Sequence, residues 1–390
     1  MTTPAPSPFL LIKRDARDPR RGRIAERTLN LGGEAEIRRY AYDSAGRLAR
    51  VADGSGGLLE SYQYDHEGRR LADINPQRIP LGGCRGERRY SYSLGDRLLQ
   101  AGPVQYGHAK AGFRNLKIED TSSNPRETRY QYEPSGLLLR VDLPDGRRIE
   151  YAYDAKGQRT EKRVNGGIVE AYRWLDPLRL SEFHDGREWW RLAYLEGRTP
   201  VGVTNGDDSY LLCCDQVGTP LALATVDGHT VQTMQYDSFG NLLQVRGDVV
   251  RLPIGFAGGQ YDADTGLTRF VWRDYDADTG RFTALDPVGA KGGDDDWYGY
   301  CVDDPVNRTD ACGLESEGAK GGDKPYYCRW SKCDDNGTLQ GDYKPIEGDK
   351  AALPFLLDFS VPVGGKRYTI LPSEIDPFRE YYERNQKEED

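Results

Sequence analysis

Residues 40–48 read YAYDSAGRL and residues 62–71 read YQYDHEGRRL, and this pattern returns along most of the chain. Two tyrosines separated by one residue place both rings on the same face of a β-strand. The aspartate that follows can accept hydrogen bonds from its own turn, and the glycine supplies the positive φ that the turn requires. Arg-Leu then begins a return strand, so each copy predicts one β-hairpin.

Further copies confirm that the pattern is an internal repeat. They are YSYSLGDRL at 90–98, YQYEPSGLL at 130–138 and YAYDAKGQR at 151–159, with shorter copies at 236–242, 261–267 and 275–282. Pro144-Asp145-Gly146 supplies a turn of the opposite direction between two copies. A single hairpin is barely stable in water, so hairpins strung end to end must stabilise their neighbours. We expect the repeated Tyr, Asp and Gly to build a sheet and to take no part in chemistry.

The composition agrees with a large, turn-rich β structure. The chain has 25 Tyr and 46 Gly but only 37% hydrophobic residues, and its mean hydropathy is −0.73. A net charge of −9 without a basic stripe argues against nucleic-acid binding. No stretch approaches the roughly 18 apolar residues that span a membrane. The first eleven residues lack the basic region and apolar length of a signal peptide.

The cysteines do not indicate a disulfide framework or a metal site. There are seven, an odd number, and they are widely scattered. Cys328 and Cys333 have no second Cys pair or His nearby to complete a zinc site. We therefore expect reduced thiols, no metal and no cofactor.

The repeats resemble the YD repeats of the Rhs family, which are shared with the C components of insecticidal ABC toxins and with teneurins. Residues 215–240 match the Asp-x-x-Gly-Thr-Pro and Tyr-Asp-x-Phe-Gly landmarks of that family, and residues 253–314 resemble its Rhs-associated core. The resemblance implies a mainly β fold, namely a spiralling antiparallel YD-repeat β-shell capped by the core. With only about eight recognisable units, we expect the shell to be partial.

This resemblance and the changes of composition divide the chain into four parts. They are an irregular N-terminal segment (1–34), the repeat shell (35–252), the core (253–314) and a small, variable α+β C-terminal domain (315–390). Within the last part we expect strands at 326–332, 353–363 and 366–371 and a helix at 375–387.

Resemblance to the self-cleaving members of the family assigns a chemical site within the core. It implies that Asp286 and Asp310 are catalytic, that Arg273 is their basic partner, and that the chain is cut between Leu314 and Glu315. Elementary chemistry agrees, because two carboxylates held close together share a proton, so one can activate water while the other polarises the scissile carbonyl. A guanidinium beside them would keep one carboxylate ionised or neutralise the developing oxyanion.

The sequence departs from the family pattern around this site. Ala311 replaces the usual proline, Asp304 stands where asparagine is common, and residues 294–296 are three consecutive aspartates that add negative charge. Cys312 is an alternative nucleophile, but no histidine lies between residue 230 and the C-terminus to activate it.

The resemblance predicts an Rhs-type polymorphic toxin or effector that cleaves itself once. It implies as partners its own C-terminal domain, a cognate immunity protein and a secretion-system component. The expected location is cytoplasmic before export by a specialised, type VI-like route.

Two other functions stay open. One is a non-enzymatic scaffold for protein or carbohydrate binding, in which Trp174, Trp189 and Trp190 would be exposed instead of packing in the core. The other is an inactive remnant of a longer ancestor.

Overall fold

In the computed structural model, residues 10–314 are described except for 20, 32–33, 79–85, 120–124, 196, 288 and 290–295. Beyond residue 314, only the backbones of four short strands are described.

Twenty-two strands precede the core in the described part of the chain. They are β1 (Leu10–Arg17), β2 (Ile24–Leu31), β3 (Glu34–Tyr42), β4 (Leu48–Asp53), β5 (Leu58–Tyr64), β6 (Arg70–Ile74), β7 (Arg88–Tyr92), β8 (Leu98–Ala101), β9 (Val104–His108), β10 (Arg114–Glu119), β11 (Arg126–Tyr132), β12 (Leu138–Asp142), β13 (Arg148–Tyr153), β14 (Arg159–Val164), β15 (Gly167–Asp176), β16 (Arg179–His184), β17 (Trp189–Tyr194), β18 (Pro200–Thr204), β19 (Ser209–Cys214), β20 (Pro220–Thr225), β21 (Thr230–Tyr236) and β22 (Leu242–Arg246).

Shorter elements follow in the core and beyond it. They are β23 (Gln260–Tyr261), β24 (Leu267–Phe270), β25 (Arg273–Asp276), β26 (Arg281–Phe282), β27 (Arg308–Thr309), β28 (Glu317–Gly318), β29 (Tyr327–Arg329), β30 (Ser360–Val363) and β31 (Lys366–Thr369), with 3-10 turns at Phe256–Gly258 and Cys301–Asp303.

The strands form one long antiparallel sheet and three small ones. Each strand from β1 to β22 pairs with the next along the chain, and β29 pairs with the outer edge of β1. The small sheets are β23–β26, β27–β28 and β30–β31. The protein is therefore mainly β, as the repeats predict.

The N-terminal segment differs from the expectation. Residues 1–34 were expected to be irregular, but β1 and β2 pair regularly with each other, and β2 pairs with β3. Asp15 lies opposite Arg27 in this register, and their side chains form an ion pair at 3.1 Å. Opposite charges directly across two strands stabilise a sheet. A search for apolar alternation does not detect strands of this kind.

The tail strands are found in part. The backbone of β29 lies within the expected 326–332, while β30 and β31 lie within 353–363 and 366–371. The helix expected at 375–387 lies outside the described residues.

The second tyrosine joins three of the repeats to the repeat before them, through the hydroxyls of Tyr64, Tyr92 and Tyr153. In β5, the first tyrosine, Tyr62, is buried, and the hydroxyl of Tyr64 donates to the Leu48 carbonyl of the preceding repeat at 2.8 Å. The Asp65 carboxylate accepts from the Arg69 amide at 2.9 Å and so closes the turn. Sheet and turn are thus both encoded within one short motif.

The turn position after the aspartate adopts a positive φ, as expected. Gly68 has a φ of 92°. In the copy at 90–98 this position is occupied by Asp96, with a φ of 58°, and not by Gly95. Aspartate is one of the few residues that tolerate this conformation.

The sheet curls so that its first strands approach its last ones. Leu29 on β2 packs against the buried cluster of β20 and β21 that includes Leu221, Met234 and Tyr236. Arg38 on β3 donates to the Tyr236 carbonyl at 2.7 Å. Within the described residues, β1 and β22 do not pair with each other, so these contacts bring the two ends together without closing the hydrogen-bonded sheet.

The core packs against the concave face of the curled sheet. Ile254, Leu267 and Val306 each belong to a different apolar cluster that is otherwise supplied by the sheet. Charged contacts accompany these clusters, because basic residues of the sheet pair with aspartates of the core. These pairs include Lys162–Asp262 at 2.9 Å, Arg159–Asp274 at 3.4 Å, Arg114–Asp276 at 2.5 Å, Arg88–Asp278 at 3.0 Å and Arg23–Asp304 at 2.8 Å.

Replacing Lys162 with methionine should reduce the free energy of unfolding by about 3 kcal/mol or more, because Asp262 would be left as a buried charge without its cation. Lys162 is fully buried. Arg173→Met is the matched control, since its ion pair with Glu182 is exposed and should contribute less than about 1 kcal/mol. Chemical denaturation of both variants measures the difference. Equal losses would contradict the role of the buried pairs.

A buried carboxyl pair should make the contact between β5 and the β21–β22 turn depend on pH. Glu60 accepts hydrogen bonds from Tyr62 and from the amide and hydroxyl of Ser238. Burial and the neighbouring Asp237 raise the pKa of Glu60 to about 7, although Arg38 opposes the rise. The folded protein therefore holds this proton to a higher pH than the unfolded chain, so the free energy of unfolding should fall as the pH rises from 4.5 to about 7.

In Glu60→Gln this contribution should disappear, and the pH dependence between pH 5 and 8 should flatten by about 2 kcal/mol. Glu182→Gln is the control with the opposite sign. Burial raises the pKa of Glu182, but hydrogen bonds from Arg173 and Arg191 bring it below its usual value. Its stabilisation is therefore present above the unfolded pKa and is lost only at acid pH, so the slope of this variant should match that of the wild type between pH 5 and 8. Urea denaturation across the pH range compares the three proteins. An unchanged slope in Glu60→Gln would refute the prediction.

Candidate functional site

Arg273 occupies a buried position at the start of β25. A two-residue turn, Val271–Trp272, separates it from β24, and Phe270 pairs with it across the hairpin. Its side chain is enclosed, and the guanidinium carbon lies 3.7 Å from the centre of the Phe282 ring. A cation held against an aromatic face in a dry environment requires counter-charges close by.

Asp286 and Asp310 are the counter-charges that reach this guanidinium. Arg273 Nη2 lies 2.8 Å from Asp286 Oδ2 and 3.4 Å from Asp310 Oδ2. Because both contacts share one nitrogen, the two oxygens cannot be further apart than the combined length of these contacts. That separation is well within the ~10 Å over which two carboxylates can act on one bond through a water molecule. The three residues predicted from the sequence therefore lie together.

Asp310 also closes the turn that leads to Leu314. Its Oδ1 accepts from the amide of Gly313 at 2.7 Å and from the amide of Leu314 at 2.9 Å, while Oδ2 faces Arg273. The replacement of proline by Ala311 was expected to loosen this turn. The two amide contacts close it without the proline.

Gly313 is required by the close approach of this turn to β24 and β25. Its φ is 75°, and a Cβ there would lie 2.7 Å from the Phe270 carbonyl oxygen. Arg273 Nε donates to the Gly313 carbonyl, and the Trp272 amide donates to the Cys312 carbonyl. The Gly313 carbonyl, which accepts from Arg273 Nε, thus belongs to the residue before Leu314.

The Trp297 carbonyl joins two of the three residues. It accepts from the amide of Asp286 at 2.9 Å and from Arg273 Nη1 at 3.2 Å. The sequence alone does not reveal the role of the Trp297 carbonyl or of the Phe282 ring. Main-chain oxygens have no sequence signature, and a phenylalanine in a strand gives no sign of the cation that it will contact.

The additional aspartates near the site are engaged in ion pairs. Asp304, which was expected to add negative charge, contacts Arg23 at 2.8 Å and accepts from Asn307 at 2.7 Å. Arg23 lies in the connection between β1 and β2. Asp296 forms a buried pair with Arg281. Residues 294 and 295 lie outside the described part of the chain, as does Glu315.

The alternative residues named from the sequence are placed as follows. The Cys312 side chain is exposed. Of the three tryptophans, Trp190 is buried in the sheet core, Trp174 donates to the Arg159 carbonyl, and Trp189 is 40% exposed. Only Trp189 among them presents a ring to solvent.

The described residues hold neither a cluster of metal ligands nor a membrane-spanning helix. No group of three or more His, Cys, Asp or Glu side chains is arranged to hold a metal ion there. The same residues contain no helix of the length and apolar character that crossing a membrane requires.

A long antiparallel sheet built from YD repeats and curled around a core of short strands is the fold of a YD-shell protein. Residues 16–290 match the family model of the teneurin YD-shell, and the chain belongs to this family. It is 31% identical to teneurin-3 of Danio rerio over 275 residues, which are 68% of this chain and 10% of that protein. It is 27% identical to teneurin-4 of Mus musculus over 274 residues, again 68% of this chain and 9% of the relative.

A bacterial relative places the chain among Rhs/YD-repeat proteins as well. The protein named probable deoxyribonuclease RhsB of Dickeya dadantii is 27% identical over 314 residues, which cover 72% of this chain and 21% of that protein. A solved structure of TcdB2-TccC3 has 14% identity and a TM-score of 0.41, covering 78% of this chain and 19% of that one. The chain spans about a tenth of the length of the teneurins that it matches.

Gly313→Ala should reduce the free energy of unfolding by more than Gly146→Ala. Both glycines have a positive φ, 75° and 85°, which alone costs alanine about 1 kcal/mol. Gly146 has nothing within 4 Å of an added Cβ, whereas Gly313 meets the Phe270 carbonyl. Denaturation curves of the two variants test this, and hydrogen exchange should show faster exchange of the Leu314 amide only in Gly313→Ala. Equal behaviour would mean that the turn does not dock as described.

Proposed function

We propose that residues 253–314 cleave their own chain once, between Leu314 and Glu315, and so separate the YD shell from a variable C-terminal domain of residues 315–390. The observation that carries this proposal is the convergence of Asp286 and Asp310 on Arg273, beside the turn that ends at Leu314. Membership of the Rhs/YD-repeat proteins also supports it. The fold alone would not define an activity, so the proposal depends on the contacts of these three residues.

The contacts support different roles for the two carboxyl groups. Asp286 makes the shorter contact with Arg273, and we assign it the role of the base that takes a proton from water. Asp310 accepts both turn amides through Oδ1, so it can carry a proton on Oδ2 and donate it. Water oxygen bonds to the Leu314 carbonyl carbon, the bond to the Glu315 nitrogen breaks, and the donated proton leaves with the new amine.

Arg273 fits the role of a positioning residue in this reaction. Its Nη2 contacts both carboxylates, while its Nε holds the Gly313 carbonyl one residue before the proposed cut. It therefore fixes the substrate turn relative to the two aspartates.

The position of the proposed cut within the chain also favours cleavage. Thr309 pairs with Glu317 across β27 and β28, so the bond after Leu314 lies in the loop that joins these two short strands. Functional segments are often carried on such connections between strands.

The fate of the C-terminal domain follows from the same proposal. We propose that residues 315–390 are a toxin-like domain held by the shell, with a cognate immunity protein and a specialised secretion component as partners. Their acidic composition and the absence of an enzyme signature in their sequence assign no particular activity to them.

A non-enzymatic interaction scaffold is the second candidate. The teneurin relatives and the exposed ring of Trp189, with the Arg173 guanidinium 4.4 Å from its centre, favour it. This candidate requires no cut in the chain, so the same experiment separates the two functions.

Intact-mass spectrometry of the purified protein should find a fragment that begins at Glu315. Asp286→Asn and Asp310→Asn should each abolish it, since the amide neither takes nor donates the proton. Cys312→Ser is the control within the same turn and should cleave normally. A fragment that begins at Leu314 would instead show that the chain is cut after Gly313, whose carbonyl accepts from Arg273.

An intact chain of 43.8 kDa under all conditions would refute self-cleavage and favour the scaffold. Normal cleavage in both asparagine variants would refute the proposed roles of the aspartates.

A further inference from the structure

The loop of residues 296–299 is fixed by a buried ion pair. Arg281 Nη2 donates to Asp296 Oδ1 at 2.7 Å, and Nη1 contacts the other carboxylate oxygen. Asp296 Oδ1 also accepts from the amide of Tyr298 at 3.0 Å. Both charged side chains are at least nine-tenths buried. A two-pronged contact of this kind fixes orientation as well as distance.

The residue that follows Asp296 brings its carbonyl to the candidate site. The Trp297 oxygen accepts from the Asp286 amide and from Arg273 Nη1. One oxygen atom therefore adds a second connection between a proposed catalytic aspartate and the guanidinium that it contacts directly. The position of this oxygen depends on the loop, which Asp296 holds together with the Phe282 amide, a donor to the Tyr298 carbonyl at 2.8 Å.

The same ion pair reaches the shell. Arg281 Nη2 also donates to the Asp96 carbonyl at 2.9 Å, in the turn of the third repeat, and its guanidinium lies 4.8 Å from the centre of the Tyr92 ring. Arg281 thus connects a YD turn of the sheet with the loop that carries Trp297. The geometry of the site is completed only when the sheet is docked on the core.

We propose that Asp296 is a positioning residue for the cleavage, and that it acts through Arg281 and the Trp297 carbonyl to hold Asp286 against Arg273. The effect on rate rests on the proposed function, whereas the effect on the position of Asp286 does not. Asp296 touches neither the scissile bond nor the proposed catalytic carboxylates in the contacts described above.

A purely structural role makes a different prediction. Loss of a buried ion pair can lower the amount of folded protein without changing the site inside the molecules that fold. Asp278→Ala provides that comparison, because Asp278 pairs with buried Arg88 at 3.0 Å and has no contact with Asp286, Asp310 or Arg273.

The experiment follows cleavage over time after cell-free synthesis of the full chain, with intact-mass detection. Asp296→Ala should slow the first-order rate by on the order of tenfold to hundredfold, as small misplacements of reacting groups do. Asp296→Asn keeps an acceptor for Tyr298 and should retain most of the rate. Asp278→Ala should cleave at the wild-type rate in its folded fraction.

The time course separates positioning from folding. A lower folded fraction alone would reduce the amplitude of cleavage without changing its first-order rate. An unchanged first-order rate in Asp296→Ala would overturn the proposal.

Hydrogen exchange gives a readout that needs no cleavage. Asp296→Ala should accelerate exchange of the Asp286 amide, which donates to the Trp297 carbonyl, while Asp278→Ala should not. If the wild type never cleaves, the proposed function fails, but this measurement still decides whether Asp296 positions Asp286. Equal protection in the wild type and Asp296→Ala would show that it does not.

Discussion

Buried ion pairs between the sheet and the core are the interaction on which the rest of the structure depends. Several basic residues of the sheet and its turns reach aspartates of the core, and Lys162–Asp262 and Arg159–Asp274 are enclosed on both sides. Removing such charges from water costs several kcal/mol each, and only correct pairing offsets that cost. A curled sheet without its core would leave a row of cations on its concave face. The pairs therefore favour one docking of the core over others, in addition to the apolar contacts that supply most of the burial.

The candidate site follows the same logic at a smaller scale. Arg273 is a cation against the face of Phe282, and two aspartates neutralise it. The arrangement thus neutralises a buried cation, and the proposed cleavage would use the same two carboxyl groups. The turn at Asp310 places Leu314 beside this site, since the same carboxylate accepts from the Leu314 amide.

Connections from the sheet reach both sides of this site. Arg281 joins the Asp96 carbonyl to Asp296, and Arg198, between β17 and β18, donates to the Thr309 hydroxyl beside Asp310 at 2.8 Å. The connections of the shell therefore contact and hold the loops that carry the aspartates. This dependence explains why a core of short strands, mostly two to four residues long, keeps a defined geometry.

The sequence by itself determined the hairpin unit, because its decisive contacts are local. Asp65 bonds the amide of Arg69, and the tyrosines alternate along one strand, so the pattern can be read within ten residues. The three site residues were also named from the sequence, but through family resemblance and not through any signal of their distance. The N-terminal strands were missed because their apolar residues do not alternate, and because the cross-strand pair Asp15–Arg27 and the packing of Leu29 on distant strands become evident only in the fold.

Only the tertiary structure decided which charges meet. Asp304 and Asp296 read in the sequence as excess negative charge, yet the first pairs with Arg23 across almost the whole chain. The curvature that joins such distant residues accumulates over twenty-two strands, and small twists in each strand set where its ends lie. Asp286 and Asp310 reach one guanidinium through the folding of the core itself, where the Trp297 carbonyl and the Asp310 turn contact Arg273. Contacts of this range depend on the sum of many local geometries, which is why no short segment could reveal them.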